Sequence, residues 1–246
     1  MARPSQRPTR PRPAPPQRTS SRTPMVVGVV VVLLVAVVVI GGVLVTGNGS
    51  DASGNAIPAV PAPAPYATTV EGGVVTAGGP APHTVDLYED ALCPACQAFE
   101  QRDGDRIAQA VAAGRVQVRY HLVNLLDQRS TPPGYSSAAG NAMICAAEDG
   151  AFPAVHASLY AAQPAEGARG YDTGQLVDLG RRAGAGPGYA DCVQGNRHTG
   201  EVAINFQQAR NDPALLQGGS FGTPTVVLDG RRVDLDSPEL AAVLGG

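Results

Sequence analysis

A chain of 246 residues has room for one or two domains, and its formal charge of −3 conceals two opposite portions. Residues 1–50 hold six arginines (Arg3, Arg7, Arg10, Arg12, Arg18, Arg22) and no acid, whereas residues 51–246 hold twelve arginines against twenty-one acids. A mildly acidic main portion without tryptophan argues against nucleic-acid binding, and the absence of lysine reads as compositional bias.

The first segment, residues 1–24, is Arg, Pro, Ser and Thr with almost nothing apolar to bury. It is expected to be a disordered basic tail. Met25–Val45 then reads MVVGVVVVLLVAVVVIGGVLV, with no charge. As a helix it would span roughly 30 Å, the thickness of a bilayer core. A cleaved signal peptide is the alternative, but its apolar run would be only about 7–15 residues and would end in an A-x-A-like site. The following VTGNGSDASG offers no such site, so a single transmembrane signal-anchor helix is expected at 25–45. Arginines directly before the span should remain cytoplasmic. Everything after it is then expected to be extracytoplasmic, where disulfides persist.

Residues 46–65 are rich in Pro, Ala and Gly and end IPAVPAPAP, which reads as an extended, semi-rigid linker. The folded domain is expected over 66–246, enough chain for a sizeable core. Within it, GGVVTAGG and HTVDLYED read as two strands, the second alternating Val85 and Leu87 against Asp86 and Tyr88. A helix is predicted from about Pro94 to Ala113, stopped by Gly114, and RVQVRYHLVNL reads as a strand. Four helix candidates follow: AAGNAMICAAED, FPAVHASLYAA, TGQLVDLGRRAG and TGEVAINFQQAR, the last with Val202, Phe206 and Ala209 on one face. TPTVVLDGRRVDL reads as a hairpin turning at Asp229–Gly230, and SPELAAVLGG as a closing helix capped by Ser237. With most of the helical block removed, the order is β-α-β-α-β-β-α.

The chemistry concentrates in LCPAC. Cys93 falls at the mouth of the first helix, Pro94 and Ala95 form its opening turn, and Cys96 lies one turn in. Unpaired backbone N–H groups and the positive end of the helix dipole favour an anion at the first sulfur. Its pKa is expected to fall from about 8.5 into the ~3.5–7.5 range of such sites. Cys93 is then the exposed nucleophile or electrophile and Cys96 the resolving thiol. Taken alone, the spacing also fits a structural disulfide or half a zinc site.

VDLYEDALCPAC with QAFEQRDGD after it, GVVTAGGPAP before it and FGTPTVVLDG far downstream resembles the DsbA-like thioredoxin-fold proteins. The likeness is to their membrane-anchored actinobacterial type and covers about residues 70–246. It implies an α/β thioredoxin-like fold with an inserted helical domain at about 127–218, preceded by the transmembrane helix. It also implies a cis peptide at Thr223–Pro224 beside the cysteines, with the Thr223 backbone open to an extended substrate segment. The activity implied is that of a thiol:disulfide oxidoreductase that puts disulfides into reduced secreted or membrane proteins. Its expected reoxidant is a quinone-coupled membrane partner of the VKOR or DsbB type, and neither cofactor nor metal is implied. The alternatives are a thiol reductase, as in cytochrome c maturation, and a non-catalytic anchored binding module.

Many proteins of this fold carry a buried acid six residues before the first cysteine, but here that residue is Leu87. Asp86, Glu89 and Asp90 are nearby but none holds that position, and Glu89 and Asp90 read as exposed acids leading into the helix; proton transfer is left to water or a neighbouring carboxylate. Cys145 and Cys192 would be a liability as free thiols in an oxidising compartment, so a structural disulfide is favoured over two inert buried cysteines. Similar actinobacterial proteins carry a comparable pair. A zinc site from all four cysteines would need distant segments to meet tetrahedrally. His83, His121, His156 and His198 share no ligand spacing and read as surface or satisfied core residues. Arg181–Arg182 and Arg231–Arg232 read as solvated.

Overall fold

The computed structural model describes residues 54–245. The basic tail, the apolar span at 25–45 and the first part of the expected linker lie outside the described residues. Among the described residues no helix is long and apolar enough to cross a membrane.

Six strands form one sheet in the order β1-β2-β4-β3-β5-β6. They are β1 (Thr68–Glu71), β2 (Val74–Ala77), β3 (His83–Glu89), β4 (Val116–Leu122), β5 (Thr225–Leu228) and β6 (Arg231–Val233). The central β3 runs parallel to β4 and antiparallel to β5. Helix α1 (Pro94–Ala112) makes the β3–β4 crossover. Its last turn closes on Ala113, and Gly114 follows with φ +68°, a conformation only glycine adopts without strain. Between β4 and β5 run α2 (Tyr135–Glu148), α3 (Phe152–Ala161), α4 (Thr173–Arg182), α5 (Tyr189–Gln194) and α6 (Thr199–Asn211). The chain closes with α7 (Pro238–Val243), where the Ser237 hydroxyl accepts from the Leu240 N–H at 3.3 Å.

The alternation in the central strands determines what each sheet face does. Val85, Leu87 and Glu89 of β3 are buried, as are Val116, Val118, Tyr120 and Leu122 of β4. This face meets the helices, with the Tyr120 ring 5.0 Å from both Phe152 and His156 of α3. The opposite face carries Asp86, to which Arg119 and His121 of β4 bind at 2.5 and 2.8 Å. Burial opposes ionisation of Asp86, yet those two partners hold its carboxyl below the ordinary range.

Three elements differ from the sequence reading. GGVVTAGG is one arm of a hairpin rather than a lone strand, because β1 pairs with β2 across Gly72 and Gly73, at φ +55° and +76°. A two-residue turn of that shape needs positive φ at both positions, and TTVE before it is too short to stand out. The helical block contains five helices rather than four. The additional one, α5, has six residues and follows Gly186-Pro-Gly188, so no periodicity reveals it.

The third difference is the Pro/Ala segment. Residues read as a free spacer lie along the helices: Ile57 is fully buried, its carbonyl accepts from Arg182, and the Val60 N–H donates to Ser158 Oγ at 3.0 Å. An extended segment without internal hydrogen bonds has donors and acceptors to give away, and one apolar residue anchors it. Arg182 is therefore not simply solvated. Arg231 and Arg232 also have partners, Glu239 and Gln217.

Cys145 of α2 and Cys192 of α5 are joined by a buried disulfide, with Cα atoms 5.8 Å apart and a sequence separation of 47. Asn141 reinforces the same junction, donating to the Val193 carbonyl at 3.3 Å and accepting from the His198 N–H at 2.8 Å. Replacing both cysteines by serine is expected to lower the unfolding free energy by about 4 kcal/mol on the chain-entropy account. Urea denaturation measures this, and a loss under about 1 kcal/mol would mean that packing alone holds the insert.

Candidate active site

The parallel crossover delivers the end of β3 directly into the start of α1, and Cys93 is the N-cap of that helix. No side chain caps the helix and no acid occupies its first turn. The first backbone N–H groups therefore remain available to the Cys93 sulfur. Pro94, which has no N–H to lose, suits the first helical position and lies exposed with Ala95. Cys96, one turn along, is fully buried.

Burial differs from expectation at the first sulfur, for Cys93 is only 7 % exposed. The loop before β5 covers it: Thr223 and Pro224, joined by a cis peptide, bring the Thr223 carbonyl to 3.3 Å from Cys93 Sγ, which donates to it. Sheet register explains the meeting, since Tyr88 pairs with Thr225, so both chain ends emerge at the same edge. The helical block reaches the same spot. Gln163, just after α3, donates to the Cys93 carbonyl at 3.1 Å, and Gln97 of α1 donates to the Tyr160 carbonyl at 3.0 Å.

The two thiols are electrostatically unequal. The hydrogen bond from Cys96 lowers the Cys93 pKa most. Burial opposes it, and Thr223 and the N–H groups of Cys96 and Ala95 add to the lowering, giving about 6 against an ordinary 9.0. Burial pushes the Cys96 thiol well above its ordinary value, with the negative charges of Cys93 and Glu89 acting in the same direction.

Glu89 and Asp90 correct the sequence reading, for both are fully buried rather than exposed. Glu89 falls on the core face because strand alternation carries on past Leu87 by one further pleat. Asp90 is held by the N–H groups of Leu92 and Leu126, each at 2.8 Å, and by Ser136 Oγ at 2.7 Å. It thus ties the approach to Cys93 to the first turn of α2. Burial raises the Asp90 pKa to about 6 against those donors, and raises Glu89 to about 8. Glu89 Oε2 lies 3.0 Å from His156 Nε2 on α3, and His156 Nδ1 lies 3.8 Å from Glu100 Oε2 on α1. Burial holds His156 below its ordinary value and Glu100 well above its own. Glu89, Asp90, Glu100, His156 and Gln163 were not legible as site residues; only the alternation of β3 pointed to the first.

The disulfided Cys145 and Cys192 lie in the helical block and contribute no sulfur to this site, so the four cysteines do not converge on one metal. His83 and His121 pair with Asp229 and Asp86, and His198 with Glu148 and Glu201.

An acidic thiol, a second thiol one turn behind it and a carbonyl across the mouth form the arrangement that thiol–disulfide exchange uses. Residues 70–244 match the family model described as thioredoxin, and the chain belongs to that family. Among solved structures it is similar to DsbG of Mycobacterium tuberculosis, a disulfide bond oxidoreductase (31% identity, TM-score 0.57, covering 67% of this chain and 79% of that one). It is also similar to DsbA of the same organism (29% identity, TM-score 0.57, 67% and 83%). The thiol-disulfide oxidoreductase MdbA of Corynebacterium matruchotii shares the fold at TM-score 0.62 and 21% identity, over 72% of this chain and 92% of that one. Among curated proteins, the serine/threonine-protein kinase PknE of M. tuberculosis is 32% identical over 182 residues, 71% of this chain. The chain spans only 31% of the length of that kinase.

The asymmetry between the thiols is directly measurable. Because the Cys93 pKa is depressed when folded, its thiolate stabilises the reduced fold fully above about pH 9 and that gain disappears as pH falls through about 6. Alkylation of the reduced protein is expected to modify Cys93 with a midpoint near pH 6, while Cys96 stays unmodified at neutral pH. Equal rates at both cysteines would remove the helix-mouth account.

Proposed function

We propose that this chain is an extracytoplasmic thiol:disulfide oxidase that introduces disulfides into reduced secreted or membrane proteins through Cys93 and Cys96. The observation that carries the reading is Cys93 as N-cap of α1, its Sγ 3.3 Å from the Thr223 carbonyl, with Cys96 fully buried one turn behind. That placement lowers the first thiol and raises the second. Holding one sulfur as a thiolate stabilises the reduced form, which makes the disulfide a stronger oxidant. A substrate thiolate attacks Cys93 Sγ, the Cys93–Cys96 bond breaks, and its electron pair leaves on Cys96. The second substrate thiol, deprotonated, then attacks the substrate sulfur of the mixed disulfide and releases Cys93 as a thiolate. Substrate leaves with a disulfide and the protein holds the dithiol.

The Thr223 carbonyl beside Cys93 would serve an extended substrate segment as an added strand partner. Location and partners rest on sequence chemistry: arginines preceding an uncharged run at 25–45 support a single-pass anchor with a cytoplasmic N-terminus. The disulfide between Cys145 and Cys192 suits an oxidising compartment. A membrane partner of the VKOR or DsbB type, passing electrons to quinone, would then restore the Cys93–Cys96 bond.

Equilibration with glutathione buffers tests direction. A potential near about −120 mV supports an oxidase, one near about −270 mV a reductase, and a pair resistant to reduction a static module. With one thiol ionised, the potential should fall by about 30 mV per pH unit above pH 6, steepening to about 59 mV below it. Cys96→Ser is expected to trap a mixed disulfide on Cys93, and Cys93→Ser to abolish exchange. In intact cells treated with a membrane-impermeant reductant, a membrane-impermeant thiol reagent should then label Cys93; labelling only after lysis would overturn the location.

A further inference from the structure

Where α3 packs on α1, three buried polar atoms have no hydrogen-bond partner in the protein: Glu89 Oε1, Glu100 Oε1 and Tyr160 Oη. Glu100, His156 and Tyr160 line a cavity of about 380 Å³ whose other side is formed by Val60, Pro63 and Tyr66 of the Pro/Ala segment. Glu89 is fully buried and the Glu100 side chain is 8 % exposed. Unsatisfied carboxyl oxygens so far from water are costly, and a group of them calls for an ion or an ordered water.

The donors are of a kind that a metal ion uses. One oxygen of each carboxyl and one ring nitrogen of His156 lie within 4.8 Å of one another. His156 Nε2 is 3.0 Å from Glu89 Oε2, and Nδ1 is 3.8 Å from Glu100 Oε2. Among the described residues neither acid has an arginine partner; each pairs with His156 alone. Two carboxylates balance the charge of one dication, and a neutral imidazole completes three protein ligands. The cavity leaves a fourth position to water, as an open zinc site does. Bonds of about 2.0–2.2 Å put neighbouring donors of a tetrahedral ion about 3.3–3.6 Å apart, so the observed spacing needs only small side-chain movements. Calcium and magnesium favour shells made almost wholly of oxygen, and the imidazole moves the preference to zinc. The other buried grouping of such ligands among the described residues, Cys145, Cys192 and His198, has both sulfurs committed to a disulfide.

We propose that Glu89, His156 and Glu100 bind one divalent transition-metal ion of the zinc class, admitted from the cavity beside residues 60–66. Glu89 ends β3, Glu100 belongs to α1 and His156 to α3, so the ion ties the sheet to the helical block at a further point beyond the bonds of Asp90. The Tyr160 phenol, on the same cavity wall, is available to a water on the ion. The segment read from sequence as a spacer covers the entrance. No sulfur takes part, so the assignment does not depend on the redox reading of Cys93 and Cys96.

The test uses the full-length chain without a histidine tag, fully oxidised so that no thiol competes, and stripped with a chelator. Calorimetric titration with Zn2+ is expected to saturate at one ion per chain, with a parallel rise in the thermal unfolding midpoint. Glu100→Gln and His156→Gln should each weaken binding at least about tenfold, since losing even an outer-shell partner costs a metal site that much. His121→Gln, on the opposite sheet face beside Asp86, should bind as the parent does. Absence of saturable binding, unchanged affinity in both site variants, or loss confined to His121→Gln would overturn the site. Co2+ keeps the proposal falsifiable if the site variants do not fold. The intense visible absorption of a four-coordinate ion, displaced by Zn2+, supports the site, and the weak spectrum of hydrated Co2+ overturns it. A failed glutathione equilibration would remove the redox reading and leave these outcomes untouched.

Discussion

The burial of a carboxyl and two sulfurs at one strand-to-helix junction is the constraint on which the remaining structure turns. Charge at that junction is expensive in proportion to how little water reaches it. Each group answers differently. Cys93 has hydrogen bonds from the helix start and from Cys96, so its anion is tolerated. Cys96 and Glu89 lack enough donors, so they hold protons near neutral pH. A single low-dielectric pocket thereby yields an anionic sulfur in front and a protonated pair behind. That separation suits thiol–disulfide exchange, in which Cys93 is released from the mixed disulfide as a thiolate and the sulfur of Cys96, once released, takes up a proton.

The helical block is part of this junction and not an appendage to it. Asp90 fastens the loop before Cys93 to the first turn of α2, Gln163 holds the Cys93 carbonyl, and His156 of α3 stands against Glu89. A disturbance of the block would be felt at the sulfurs through three separate contacts. The disulfide between α2 and α5 acts one step further out. It joins α5 to α2, the helix whose first turn Asp90 holds. The short, glycine-flanked α5 has little apolar surface to hold it unaided.

How legible the site was depended on the length scale at which each feature is encoded. The cysteine pair, its proline and the helix that follows are contiguous, so local rules of capping and dipole reveal them. The Asp229–Gly230 turn was legible for the same reason, with φ of +50° and +80° at the two residues. Cis-Pro224 came from family resemblance, since a Thr-Pro pair opening a strand looks locally like any turn. Glu100, His156 and Gln163 belong to other elements, and only the packing of α3 on α1 brings them to the cysteines. The Pro/Ala segment misled because composition reports the conformation of a stretch and says nothing of what lies beside it.

The displaced acid illustrates the point most sharply. The position where many thioredoxin-fold proteins carry their buried carboxyl holds Leu87, which packs in the core. Glu89 stands two residues on, and in a strand a step of two preserves the face while moving along the axis by about 7 Å. The carboxyl thus keeps the wall and changes its station, towards the helix mouth and into reach of His156. A step of one would have turned it to the face of Asp86, among Arg119 and His121, with no access to the thiols. The chemistry is therefore conditional on the parity of the offset rather than on its exact count. An acid can be relocated along the strand without leaving the pocket, provided a neighbouring helix supplies it a partner at the new level. Here α3 supplies an imidazole.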